Sequence, residues 1–308
     1  MFCKRLCGRE LVLILVMSGM QVTAEVLANT EVPWMLMDVE SQAYHRGLNL
    51  LFEKPQGWQF QEEKSNQESE PFKDWHVVLQ LIDIQNEPLQ IQSSPASISL
   101  TLRASFDQPL SQFAELVRDG IQLTHPTARR LSDQSREFLG YPAHQMTFTI
   151  SVPPTRQDML VTLLCAVDET IGYILSYTGD ESQFLEKMSA FETVARTLRF
   201  ENAQGLNRLM RHWIIAEDYR FLGDWDRATQ ELEQALPLGL SSDQEDQIKK
   251  ELCHLYGVMG QAAFVKEGNL IRAEKLFHRT LELEPNQPQI EKTLELVRVA
   301  LKNEGGGK

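Results

Sequence analysis

A change of hydrophobic period near residue 205 constrains this chain more than any other feature. Before it, apolar residues recur mainly at every second position, with two stretches of helical spacing between; after it, only helical spacing remains. Period two sends side chains alternately to the two faces of a strand, whereas three-to-four spacing gathers them along one side of a helix. The chain therefore reads as a mixed segment followed by an all-helical one. Its 308 residues leave room for about two domains of ordinary size.

Within the mixed segment, Leu48, Leu50 and Phe52 alternate with other residues, Pro55 and Gly57 mark a turn, and Trp58-Gln59-Phe60 resumes a strand. Residues 61–70 are polar and read as a loop. Residues 75–84 carry Val77, Leu79, Leu81 and Asp83 at period two, and Ile98, Leu100, Leu102 and Ala104 repeat the pattern. Pro109 opens a helix whose Leu110, Phe113, Leu116, Val117 and Ile121 form one apolar stripe. Residues 128–137 form a weaker strand, and Leu139-Gly140-Tyr141-Pro142 a turn. His144, Met146, Phe148 and Ile150 alternate along residues 143–152. Residues 159–167 and 171–178 make a hairpin across Asp168-Glu169-Thr170. Phe184, Met188, Phe191, Val194, Ala195 and Leu198 define a second amphipathic helix, and Leu198-Arg199-Phe200 closes the segment. Short turns between strands imply an antiparallel sheet, and helices packed on it make an α+β layer structure.

The N-terminus has the order of a secretory signal. Lys4, Arg5 and Arg9 precede an unbroken apolar run over residues 11–17, and Val22-Thr23-Ala24 offers a cleavage site. The apolar run is too short to cross a bilayer in the usual way, which takes about 20 residues. Residues 1–24 are expected to be a signal peptide and 25–46 a lead-in. The protein is expected to be exported, to the periplasm or outside the cell, with an uncleaved N-terminal tether as the alternative. The formal net charge of −13 argues against phosphate backbones and anionic membranes as partners. Cys3 and Cys7 lie in the signal, and Cys165 and Cys253 fall in separate apolar segments, which reads as two buried thiols rather than a disulfide framework.

The helical segment contains an internal similarity. Tyr219-x3-Gly223-Asp224-Trp225-x2-Ala228 aligns with Phe264-x3-Gly268-Asn269-Leu270-x2-Ala273, followed by Leu232 and Ala235 in one copy and Phe277, Thr280 and Pro285 in the other. This resembles the tetratricopeptide repeat. The copies depart from that pattern at Gln261, Thr280 and Leu232, and residues 237–247 hold an insertion. The resemblance implies two imperfect helical units and a capping helix across 206–302. It also implies a peptide-binding or protein-binding hollow on the first helices, with Trp213, Glu217, Arg220 and Phe221 facing it in one unit and Ala262, Val265 and Lys266 in the other.

Phe52-x2-Pro55-x-Gly57-Trp58, Tyr173-x3-Tyr177-x-Gly179 and Phe191-x6-Leu198-Arg199-Phe200 resemble the PsbP-like superfamily over residues 47–200. That likeness implies an antiparallel sheet flanked by helices and an accessory or binding role. Its motifs are structural and carry no functional residue across.

Catalytic signatures are weak. The seven histidines form neither His-x3-His nor His-Glu-x2-His, and no Gly-x-Ser-x-Gly elbow or phosphate-cradling glycine loop occurs. Asp168-Glu169 reads as turn residues and Asp180-Glu181 as a helix start. The expected role is a non-enzymatic scaffold or accessory protein of the bacterial cell envelope, with no cofactor or metal and a protein or peptide partner. The sheet domain would anchor one partner, and the helical pair would engage another or form a homo-oligomer. Two alternatives differ in class: a carrier of small apolar ligands, using a cleft near Trp58 and Trp75, and an envelope hydrolase.

Overall fold

A computed structural model describes residues 36–39, 42–45, 48–60, 77–83, 96–152, 157–201 and 205–305. The proposed signal peptide, the 61–70 loop and Trp75 lie outside them. The described chain divides into two compact units at Ile214–Ile215.

The first unit is built on a seven-stranded sheet of order β4-β5-β6-β10-β9-β8-β7, every pair antiparallel. Its strands are β4 (Trp58–Phe60), β5 (Val77–Asp83), β6 (Ser97–Ala104), β7 (Arg129–Phe138), β8 (Tyr141–Val152), β9 (Gln157–Asp168) and β10 (Ile171–Asp180). A second, four-stranded sheet joins β1 (Leu36–Val39), β2 (Gln42–His45), β3 (Leu50–Glu53) and β11 (Arg199–Phe200). The fold class is thus α+β followed by an all-α region, as the change of period implies. The lead-in supplies β1 and β2. The Pro55–Gly57 turn, with Gly57 at φ 82°, carries the chain from β3 in one sheet to β4 in the other.

Alternation decides what each face of the large sheet buries. Helix α1 (Leu110–Thr124) lays Phe113, Ala114, Val117 and Ile121 on Met146, Phe148, Val161, Leu163, Cys165 and Ile174. Each large side chain removed from water there contributes roughly 1.5–3 kcal/mol. The opposite face receives helix α2 (Phe184–Thr197), which packs against β10 and β3. On that side Lys187 forms a buried ion pair with Asp83 at 2.9 Å and reaches Glu186 at 3.2 Å. Burial opposes the Lys187 charge, but the hydrogen bonds to both carboxylates outweigh it and raise the pKa.

The close approach of α1 is made possible by glycine. A Cβ on Gly172 would lie 2.1 Å from Phe113 Cζ, so the ring rests on the bare β10 backbone. Cys165 and Cys253 are free and buried. Burial raises the Cys165 thiol pKa to about 12, leaving it an inert core side chain.

The second unit contains four whole helices and the end of a fifth. Helix α3 (Arg208–Phe221) spans the division, and α4 (Trp225–Ala235), α5 (Ser242–Val265), α6 (Leu270–Leu283) and α7 (Pro288–Gly305) follow. The two copies of the sequence pattern form the same turn. Gly223 and Gly268 are left-handed at φ 74° and 63°. The next residues, Asp224 and Asn269, cap α4 and α6 by accepting the backbone N–H of Arg227 and Arg272. The insertion lengthens α5 to 24 residues, started by a capping box between Ser241 and Gln244. Phe277 packs on Gly260, where a Cβ would lie 2.8 Å from the ring, so the close contact sits one residue before Gln261.

Gly172→Ala should cost about 1–3 kcal/mol of the first unit's stability in urea denaturation, because the ring has a backbone below it and a packed helix above. The double variant with Phe113→Leu should cost less than the sum of the two single costs.

Candidate functional site

An open cleft of about 880 Å³ lies in the first unit. Its walls are the end of β7, the Leu139–Gly140 turn, Tyr141, the exposed face of α2 and β11. The turn has φ 56° at Leu139 and 81° at Gly140, the two left-handed residues of a tight hairpin. It is narrower than the sequence implies, since Tyr141 and Pro142 already belong to β8. On α2, Ser189, Glu192, Thr193 and Arg196 recur at helical spacing and line the cleft. Arg136 spans it to Glu192 through two hydrogen bonds of 2.8 and 2.9 Å and also bonds Gln145. Arg199 donates to the Thr197 carbonyl at 3.2 Å, while Arg196 is exposed.

Beside the cleft, a polar cluster fixes the β9–β10 turn. Asp168, read from sequence as an ordinary turn residue, is buried and forms an ion pair with Arg211, in the N-terminal half of α3. Arg211 also donates to the Leu206 carbonyl, and Tyr173 Oη donates to Asp168 at 3.5 Å. Burial first, and then the Asp168 charge, push the Tyr173 phenol above its ordinary pKa. The Tyr141 and Tyr173 rings stack at 6.3 Å, and Phe200 meets Tyr173 edge-on at 5.9 Å.

These features bear on the two alternative readings. The cleft is open and rimmed by arginine and glutamate, unlike the enclosed apolar chamber that a small apolar ligand favours. Trp58 is buried rather than lining it. No histidine is found among its described lining residues, so it holds no paired imidazole and carboxylate.

In the second unit, Glu217 and Arg220 come together and draw in a residue the sequence did not single out. Arg220 bonds Glu217 at 2.6 Å and Glu251 of α5 at 2.9 Å. Glu217 is buried, as is Trp213 on the other side of the division. Phe221 is 39% exposed and Val265 69% exposed. Lys266 is exposed and Ala262 half-buried. The first helices therefore present Phe221, Val265 and Lys266 to solvent, while Trp213 and Glu217 lie inside. The Glu251 partnership leaves no short-range sequence mark, because 31 residues separate it from Arg220.

No protein-family model matches the sequence, and no curated protein does. Among solved structures, the chain is similar to LpqN, involved in cell envelope biogenesis of Mycobacterium tuberculosis, at 12% identity over 49% of this chain and 82% of that one, with a TM-score of 0.36. It is also similar to cyanobacterial PsbP (CyanoP) from Synechocystis sp. PCC 6803, at 12% identity over 53% of this chain and 94% of that one, with a TM-score of 0.34. A protein of unknown function from Pseudomonas aeruginosa, PA94, is similar at 13% identity over 34% of this chain and 72% of that one, with a TM-score of 0.30. Identities of 12% and 13% transfer no site residue to this chain. No helix of the described residues is long and apolar enough to cross a membrane.

Burial lifts the Glu217 carboxyl from 4.5 to about 7, against the pull of Arg220 and with the help of Glu251. The folded chain then holds a proton that the unfolded chain has released between these two values, so stability falls as pH rises through that window and levels off above it. The melting temperature of the wild type should drop from pH 5 to pH 8 more steeply than that of Glu217→Gln. The difference in stability change should be about 2–3 kcal/mol, at 1.36 kcal/mol per pKa unit.

Proposed function

We propose that this protein is a non-enzymatic scaffold or accessory protein of the bacterial cell envelope, and that its helical unit grips a protein or peptide partner. The observation that carries this reading is the doubled helix–glycine–cap–helix turn, at Gly223-Asp224 and Gly268-Asn269. Phe221 and Val265 are exposed at the C-terminal ends of the helices that precede these turns. Large apolar side chains left in water cost solvation unless another surface covers them. The tetratricopeptide-like spacing supports the same reading, because repeat units of that kind hold extended or helical segments of other chains.

The envelope location rests on the basic start, the short apolar run and the Val22-Thr23-Ala24 site in the sequence. The open, charged cleft of the first unit favours a polar macromolecular contact over a small apolar cargo.

Crosslinking in intact cells followed by purification of the full-length protein tests this role. Wild type should retain a stoichiometric partner, and the double variant Val265→Glu with Lys266→Glu should lose it while melting at the same temperature. Retention of the same partner at equal yield by the folded variant would remove the helical unit from the binding role.

A further inference from the structure

Strand β7 is an edge of the large sheet: among the described residues it pairs with β8 only. The opposite edge, β4, has three residues, whereas β7 has ten. Residues 129–135 are exposed on both faces, including Leu131 at 56%. In a two-residue hairpin the flanking pair, here Phe138 and Tyr141, exchanges both of its hydrogen bonds. The alternate residues Asp133, Ser135 and Glu137 then turn their N–H and C=O groups away from β8. Among the described residues nothing bonds to these backbone groups.

The charge along this edge is opposite to that of the whole chain. Arg130 is paired with Asp133 and Arg136 with Glu192. Arg129 of β7 and Arg196 and Arg199 at the cleft have no carboxylate partner among the described residues, and Glu137 is the one acid left to offset them. The end of β7 opens into that cleft through Arg136, Glu137 and Phe138. A strip of unpaired arginines in a chain of net charge −13 selects for carboxylates. A second copy of β7 is a poor fit. Antiparallel self-pairing centred on Ser135 sets Asp133 opposite Glu137, and like charges directly opposed destabilise a pair.

We propose that β7 accepts an extended, carboxylate-bearing segment of another protein as an eighth strand of the large sheet, with acidic side chains reaching Arg129 at one end and the Arg196–Arg199 cleft at the other. Main-chain hydrogen bonds supply most of the affinity and the arginines supply the choice of partner. This surface lies in the first unit and does not depend on the helical hollow.

The test uses the full-length protein and two blocked, fluorescently labelled decapeptides, one of alternating Glu and Val and one of alternating Lys and Val, each matching the length of β7, followed by anisotropy. The acidic peptide should bind at least about tenfold more tightly than the basic one and weaken as salt is added. Ser135→Pro removes one outward N–H and should abolish binding, since proline is tolerated where an edge N–H faces solvent. Arg196→Glu with Arg199→Glu should weaken binding about tenfold or more. Should Ser135→Pro fail to fold, Arg129→Glu probes the same edge. Equal binding of the two peptides, or undiminished binding by a folded Ser135→Pro protein, would overturn the proposal. So would self-association that Ser135→Pro abolishes, because the occupant would then be a second copy.

Discussion

Burial of β10 on both faces is the constraint on which the first unit depends. Its even-numbered residues Gly172 and Ile174 meet α1, while Tyr173 and Tyr177 point the other way, to Phe200 and Phe184. A strand with two dry faces cannot tolerate unpaired backbone, and β10 is hydrogen-bonded along its length to β6 and β9. The strand must also be thin where a helix comes close, and Gly172 provides that. Cys165, directly opposite Ile174, is part of the same packing, where its thiol fills space.

The second unit solves a different problem. Helices of ordinary amphipathicity need neighbours, and here they come from α5 against α6 and α6 against α7. Ala263, Ala273 and Gly260 keep those helices close, and Phe277, Leu294 and Val297 fill what is left. Among the described residues this unit buries the carboxylates of Glu217, Asp218 and Glu251, and Arg220 holds the first and the last. That arrangement is expensive unless the pairing is intact, since a buried carboxylate without its cation loses solvation with no return.

Local periodicity made much of this legible. The stripe Phe113–Val117–Ile121 is the buried face of α1, and Ile98, Leu100 and Leu102 are buried along β6. The Asp168–Ile171 hairpin closes where the acidic turn residues place it. The Gly-Asp and Gly-Asn turns are legible for the same reason, because left-handed backbone and capping are set by adjacent residues. What was not legible depends on distant pairing. The partition of β3 and β4 between two sheets rests on β3 finding β11, about 150 residues on. Asp168 looks like any turn carboxylate until Arg211 arrives 43 residues later. Lys187 looks like a solvated helix residue until Asp83 meets it. Among the site residues, the repeat pattern named Trp213 and Glu217 alongside Phe221 and Val265, but a pattern fixes which face a residue occupies and not how deeply it is covered.

Function in this account follows from what the two cores leave uncovered. The large sheet hides both faces of β10 and leaves one long edge, and the helical unit leaves apolar side chains at the ends of its first helices. Amide hydrogen exchange on the free full-length protein tests that account most directly. Amides of β10 from Tyr173 to Tyr177 should exchange only through global opening of the first unit, whereas those of Asp133, Ser135 and Glu137 in β7 should exchange orders of magnitude faster. Equal protection of the two strands, or a β10 that exchanges as fast as the edge, would contradict it.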